Sequence, residues 1–161
     1  MAPEGVEVTV YGGLGDLPHF NPDLEAAEPA AVTEFRALVR QADGLLISSP
    51  EYAHGVPGVM KNALDWLVSG EEFIHMPVAL FHASAGGTYA QASLLETLTA
   101  MSARVVTEAS ITVPLRGRDL DVADIVSHPQ WSSAVHAALV AFARAIEMYR
   151  DDQEIQRWRS G

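Results

Sequence analysis

Two short stretches hold the residue types and spacing that suit a bound ligand. Pro50-Glu51-Tyr52-Ala53-His54-Gly55 separates the apolar run at residues 44–49 from a helical pattern that Pro57 opens. Ser84-Ala85-Gly86-Gly87 separates the apolar run at residues 77–82 from a second helical pattern. A loop that leaves a buried parallel strand and enters a helix lies at the carboxyl end of its sheet, where open α/β folds bind ligands. The helix that follows turns free N–H groups and a positive dipole end toward the loop, which favours anionic or electron-rich ligand atoms. Gly86 and Gly87 let the backbone approach a flat ligand closely, and Ser84 and Thr88 can cap the helix or donate hydrogen bonds.

Acid–base and nucleophilic side chains are sparse around these loops. Ser48 and Ser49 precede a proline, not the glycine of a nucleophile elbow, so serine hydrolysis has little support. The 6 histidines include no H-E-x-x-H spacing, and His75 and His82 read as structural or exposed. His54 has two readings, a ligand contact or a cap for its own loop. The glycine-rich stretch from Tyr11 through Gly12, Gly13, Leu14 and Gly15 to Asp16 lacks the G-x-G-x-x-G spacing, runs into Leu17-Pro18 in place of a helix, and sets a carboxylate where a phosphate would bind. It reads as a surface turn.

Elements that could position the two loops follow from periodicity. Residues 6–11 alternate as a strand, and residues 29–41 form a helix with Val32, Phe35, Leu38 and Val39 on one face. Residues 44–49 read as a strand covered on both faces. Residues 57–68 read as a helix with Val56, Val59, Met60, Ala63, Leu64, Leu67 and Val68 as its core stripe. Lys61, Asn62, Asp65 and Trp66 fall off that stripe, and Ser69-Gly70 supplies the stop. A strand at 77–82 and a helix at 89–101 come next, then one interrupted or bulged strand over 104–113. A helix from 130 to about 150 closes the chain, with Val135, Leu139, Phe142, Ala143 and Ile146 as its stripe. This alternation predicts a doubly wound parallel sheet in a three-layer α/β/α arrangement, as a single domain over residues 1–161.

Pro50-Glu51-Tyr52 together with Pro57-Gly58-Val59-Met60-Lys61-Asn62-Ala63-Leu64-Asp65-Trp66 closely resembles the Pro-Glu-Tyr-Asn, Pro-Gly-x-Leu-Lys-Asn-Ala-Leu-Asp-Trp motif of the NAD(P)H-dependent FMN reductase family, which has a flavodoxin-like fold. The resemblance extends to Asp16-Leu17-Pro18, Asn21-Pro22-Asp23-Leu24, the Ser84-Ala85-Gly86-Gly87 loop and the amphipathic C-terminal helix. It implies an FMN ring gripped by Pro50, Glu51, Tyr52, Ala53, His54 and Gly55 from one loop and by Ser84, Ala85, Gly86 and Gly87 from the other. It further implies NAD(P)H as electron donor, hydride transfer to the flavin, and onward transfer to a flavin, a quinone or a similar small-molecule acceptor. The cofactor carries that chemistry, so no side chain is assigned a catalytic role and Glu51 reads first as a loop anchor. By the same resemblance the protein is a homodimer or homotetramer, with Asp65 and Trp66 packed on another subunit or simply exposed.

This sequence departs from the family pattern at two places. Ala53 and His54 stand where many members have Asn and a small residue. Members also open with a strand, a Gly-Ser-x-Arg-x-x-Ser-x-Asn phosphate loop and a first helix, whereas residues 6–11 here match the family's second strand. In the family order 2-1-3-4-5, the first central strand is thus expected to be absent. A start codon assigned too late, a trimmed chain or a rearranged sheet explains this, the first preferred because the remainder reads as an intact flavoprotein. The competing functional reading is a flavodoxin-like binding or assembly module that lost flavin binding with its phosphate loop.

Composition narrows the classes further. At 161 residues with Cys 0, the chain can build a core without disulfides and has neither thiolate metal ligands nor a cysteine nucleophile. Lys+Arg 10 against Asp+Glu 21 gives a net charge of -11, which repels nucleic acid. Phosphorylated cofactors must then be held by local N–H groups or an individual arginine, with Arg116 and Arg118 as candidates for the donor. No apolar run reaches the roughly 20 residues of a membrane span and no secretory signal is visible, so the expected location is cytoplasmic.

Overall fold

The computed structural model describes residues 2–27, 29–84, 86–115 and 120–160, with side chains as far as residue 152. Among the described residues, four short parallel strands form the sheet. β1 (Leu45–Ile47) and β3 (Arg104–Val105) flank β2 (Pro77–His82), and β4 (Ile111–Thr112) also pairs with β2, beyond β3. The register sets Ile47 against Leu80, Val78 against Val105 and His82 against Thr112.

β3 and β4 are the two halves of the interrupted strand that the sequence predicts. A 3₁₀ turn at Thr107–Ala109 lifts the chain off β2 between them. The interruption takes a carbonyl partner away from β2, and Ser110 replaces it: its hydroxyl accepts from Leu80 N–H at 3.0 Å and donates to Val106 C=O at 2.9 Å. Ser110→Ala leaves that amide buried without a partner, and a loss of about 1–3 kcal/mol is expected in urea unfolding.

Three helices cover one face of the sheet: α2 (Ala30–Gln41), α3 (Gly58–Val68) and α4 (Thr88–Ala100). Their buried residues, including Val32, Phe35, Val39, Leu64, Leu67, Leu94 and Leu98, join Ile47, Val78 and Leu80 in one core. The long helix α6 (Pro129–Ser160) covers the other face, where Phe142 and Ala145 pack with Ala79 and Val106. A Cβ on Gly44 would lie 2.8 Å from Phe142 Cζ and from Ile146 Cδ1, so glycine there lets α6 sit close to the start of β1. Two short helices, α1 (Pro22–Glu25) and α5 (Val122–Ser127), escape periodicity because they are too short to repeat a face; Asn21 caps one, and an Asp121–Asp124 capping box opens the other.

Two expectations are corrected. Residues 6–11 form no strand. Their valine alternation fits a half-buried strand, but among the described residues no ladder pairs with them, and Val10 is 88% exposed. Alternation without a neighbouring strand gains neither ladder bonds nor a buried face.

The second correction concerns α3. Val59 and Val68 lie exposed, while Trp66 is only 1% exposed. Trp66 is neither a surface residue nor free to face another subunit. Its indole N–H donates to Pro18 C=O at 2.7 Å, and its ring meets Phe20 edge-on at 5.1 Å. Asn62, one turn earlier, accepts from Phe20 N–H at 2.7 Å and donates to Pro18 C=O at 3.0 Å. The flank of α3 that looks polar therefore clasps the 17–20 segment by its backbone. Lys61 and Asp65 pair with each other on the outside of the same helix.

Candidate functional site

Parallel strands β1 and β2 run side by side, so the chain leaves both at the same end of the sheet. The loop after β1 and the loop after β2 are thereby neighbours, as the sequence predicts. A Cβ on Gly87 would stand 3.4 Å from Glu51 Cβ, which measures how closely the two loops meet.

The first loop is a miniature hairpin. Tyr52 N–H donates to Gly55 C=O at 3.1 Å, and Gly55 N–H returns a bond to Tyr52 C=O at 2.9 Å. Ala53 and His54 make the two-residue turn with φ of 50° and 60°. Both central residues are left-handed, as in a type I′ turn, where Asn and Gly are the usual occupants. The motif position at which family members carry Asn is thus the position where the backbone needs an αL-tolerant residue, and Ala53 meets that need at a cost. Ala53→Gly is expected to stabilise the chain by about 1 kcal/mol in thermal or urea unfolding. Gly55→Ala serves as the control, since Gly55 does not have positive φ and the nearest atom to its added Cβ lies at 3.5 Å.

Beyond the hairpin, Pro57 sits just before α3, and its carbonyl accepts from Met60 and Lys61 N–H, both at 3.0 Å. The helix starts one residue later than expected, at Gly58.

The second loop is organised differently from the sequence reading. Ser84 Oγ accepts from Gly86 N–H at 3.1 Å, folding the loop on itself, and neither Ser84 nor Thr88 caps α4. Gly87 occupies the N-cap position and has no side chain to offer. The cap comes from the other loop: Glu51 Oε2 accepts from Ala90 N–H at 2.8 Å. Glu51 Oε1 also lies 3.9 Å from His54 Nδ1, and the His54 ring meets Tyr89 edge-on with centroids 4.5 Å apart. Sequence separation hid this link, because Glu51 and Ala90 are 39 positions apart.

The structure therefore brings Glu51, Tyr52, Ala53, His54 and Gly55 to the same edge as Gly87 and Tyr89. Pro50 leads into the hairpin, exposed, and Gly86 is exposed in the second loop. Ala85 lies outside the described residues, as do Arg116 and Arg118. Three aromatic rings are open at this end, with Tyr52 67% and Tyr89 61% exposed and His54 72% exposed in its side chain. Tyr89 ends the second candidate loop in the sequence but carries no assigned ligand contact there; its signal is an aromatic residue two positions after the double glycine. His82, at the end of β2, is held below the ordinary imidazole value of 6.5 by burial, so it is neutral at pH 7 and brings no charge to the site.

What this arrangement can do is limited by what it contains. Backbone groups and aromatic faces dominate, and the one carboxylate at the junction is already engaged by an amide. Among the described residues the junction thus presents flat faces and backbone edges, the features that line a pocket for a planar ligand.

A family model described as NADPH-dependent FMN reductase matches residues 1–116. A quinone reductase of Escherichia coli (strain K12) is 42% identical over 69 residues, 42% of this chain and 37% of that protein. An NAD(P)H-dependent FMN reductase of Pseudomonas aeruginosa is 38% identical over 89 residues, 53% of this chain and 48% of that protein. The matched stretches thus span less than half the length of these two curated relatives. Among solved structures, FerB, a flavoenzyme NAD(P)H:(acceptor) oxidoreductase from Paracoccus denitrificans, superposes with a TM-score of 0.73 at 26% identity, covering 84% of this chain and 78% of that one.

Proposed function

The chain belongs to the NADPH-dependent FMN reductase family, with the flavodoxin-like fold of its structural neighbour, and on that premise we propose that it is an NAD(P)H-dependent FMN oxidoreductase. The observation that carries this reading is the joining of the two loops at the carboxyl ends of β1 and β2 through Glu51 and Ala90, with Gly87 at the closest approach. The residues present fit a flavin ring. The hairpin offers backbone edges, Gly87 presents no side chain, and Tyr52, His54 and Tyr89 offer faces on which a planar molecule can rest.

In this reading Pro50, Glu51, Tyr52, Ala53, His54 and Gly55 hold one side of the ring, and Ser84, Ala85, Gly86 and Gly87 the other. The chemistry a bound flavin supplies is acceptance of hydride from NAD(P)H and its onward transfer to a flavin, a quinone or a similar acceptor. The protein orients the ring and leaves one side open, so that donor and acceptor take turns at the same place. Reduction of such an acceptor by hydride also takes up one proton, which solvent at the open side supplies, so the carboxylate at the junction can stay engaged by the Ala90 amide. A quinone-type acceptor is supported by the similarity to the quinone reductase.

The same proposal covers the chain's setting: one domain over residues 1–161, in the cytoplasm, as a homodimer or homotetramer. No helix among the described residues is long and apolar enough to cross a membrane. The test is FMN titration of the purified chain, read by flavin fluorescence, followed by NADH and NADPH oxidation with and without FMN. Oxidation that depends on FMN is the expected result; oxidation of either donor without flavin overturns the proposal.

A further inference from the structure

Glu51 is the point at which the two ligand loops become one piece. It is the residue just before the hairpin, its side chain is mostly buried, and one of its oxygens closes the first turn of α4 by accepting from Ala90 N–H at 2.8 Å. That amide is the N3 donor of a helix whose own N-cap, Gly87, has no side chain. A carboxylate at this place satisfies an orphan donor and faces the positive end of the helix dipole, so the bond is charge-assisted. The second oxygen lies 3.9 Å from His54 Nδ1, and the His54 ring rests against Tyr89, the residue preceding Ala90. Both sides of the junction are thus gathered on a single side chain, while both oxygens are turned to protein groups.

We propose that Glu51 is a positioning residue, which joins the hairpin loop to the first turn of α4 and sets flavin affinity through that joint without its carboxylate touching the ring. The inference rests on the flavin reading for the use of the loops, though the joint itself stands on a hydrogen bond within the chain. Without it, the 52–55 hairpin and the 84–87 loop are ordered independently, and a ligand that touches both must fix their relative position at its own expense.

The test uses the full 161-residue chain as wild type, Glu51→Ala and Glu51→Gln. Amide hydrogen exchange at Ala90 and Gly55 is followed without flavin, and FMN is titrated with the absorption spectrum of the bound flavin recorded. Glu51→Ala is expected to speed Ala90 exchange and to weaken FMN binding, each by about tenfold. Glu51→Gln keeps an acceptor of the same reach, so it is expected to restore most of both, with a bound-flavin spectrum identical to wild type. Unchanged Ala90 exchange in Glu51→Ala overturns the joint. A spectrum that shifts in Glu51→Gln overturns the absence of ring contact, and FMN affinity unmoved by Glu51→Ala overturns the link to binding. Wild-type chain that binds no FMN overturns the flavin reading itself, and the exchange result then decides separately whether the joint exists.

Discussion

Trp66→Ala is expected to cost about 4 kcal/mol of folding stability, measured as a fall in the urea midpoint at unchanged slope. Two losses combine. The indole is the largest of the fully buried side chains, and its removal leaves a cavity between α3 and the 17–20 segment. Its N–H is also a donor to Pro18 C=O. Trp66→Phe separates the two, since it keeps most of the packing and drops the hydrogen bond, at an expected cost of about 1–2 kcal/mol. Domains of ordinary stability have about 5–15 kcal/mol in hand, so the alanine variant loses from about a quarter to about four-fifths of it. A small change in Trp66→Ala would mean that the 17–20 segment is not held by α3.

The second large effect is expected at Arg36. Its guanidinium donates to Trp66 C=O from Nε at 2.9 Å and from Nη2 at 2.5 Å, and to Ser69 Oγ at 2.6 Å, so it closes the C-terminal end of α3 from a neighbouring helix. It also lies 3.7 Å from Glu72, whose side chain is only 2% exposed and which Arg40 meets at 3.4 Å from the solvent side. Arg36→Ala strips the last turn of α3 of its donors and leaves a buried carboxylate with one exposed partner, at an expected cost of about 2–4 kcal/mol. If the stranded charge accounts for much of this, Arg36→Ala/Glu72→Gln is more stable than Arg36→Ala alone. Equal stability of the two would assign the effect to the lost helix-end bonds together with Glu25, which Arg36 also meets at 3.8 Å. Arg36 and Trp66 share a hydrogen bond, so their effects are not expected to add.

How much of this was legible depended on how far each interaction reaches. The helices after the two loops could be read, because Pro57 and the apolar spacings after it are local signals. The strands, seen at Leu45–Ile47 and Pro77–His82, could be read as short apolar runs, and the two loops were legible as following them. Periodicity failed for Trp66 because its burial is against a segment 48 positions away, while the stripe assigned to α3 assumed the sheet as sole partner. Residues 6–11 carried a correct strand pattern without the neighbouring ladder that a strand needs. In the candidate site, the loop positions were legible but their internal bonding was not. Neither Ala53 nor His54 announces a left-handed backbone, and a cap supplied by Glu51 to a helix 39 positions away has no sequence pattern.

The clasp of Asn62 and Trp66 on the 17–20 segment touches Pro18 and Phe20 through backbone N–H and C=O groups. These bonds read the path of the chain, while the Phe20 ring against Trp66 and the buried Leu17 read its spelling at two positions. A mutational scan should accept almost any letter at exposed His19, yet reject the insertion or deletion of one residue between Leu17 and Phe20, which shifts the carbonyl and the amide out of step together. Over evolutionary time the segment is then free to drift at position 19 but not in length, while positions 17, 20, 62 and 66 are held to their side chains.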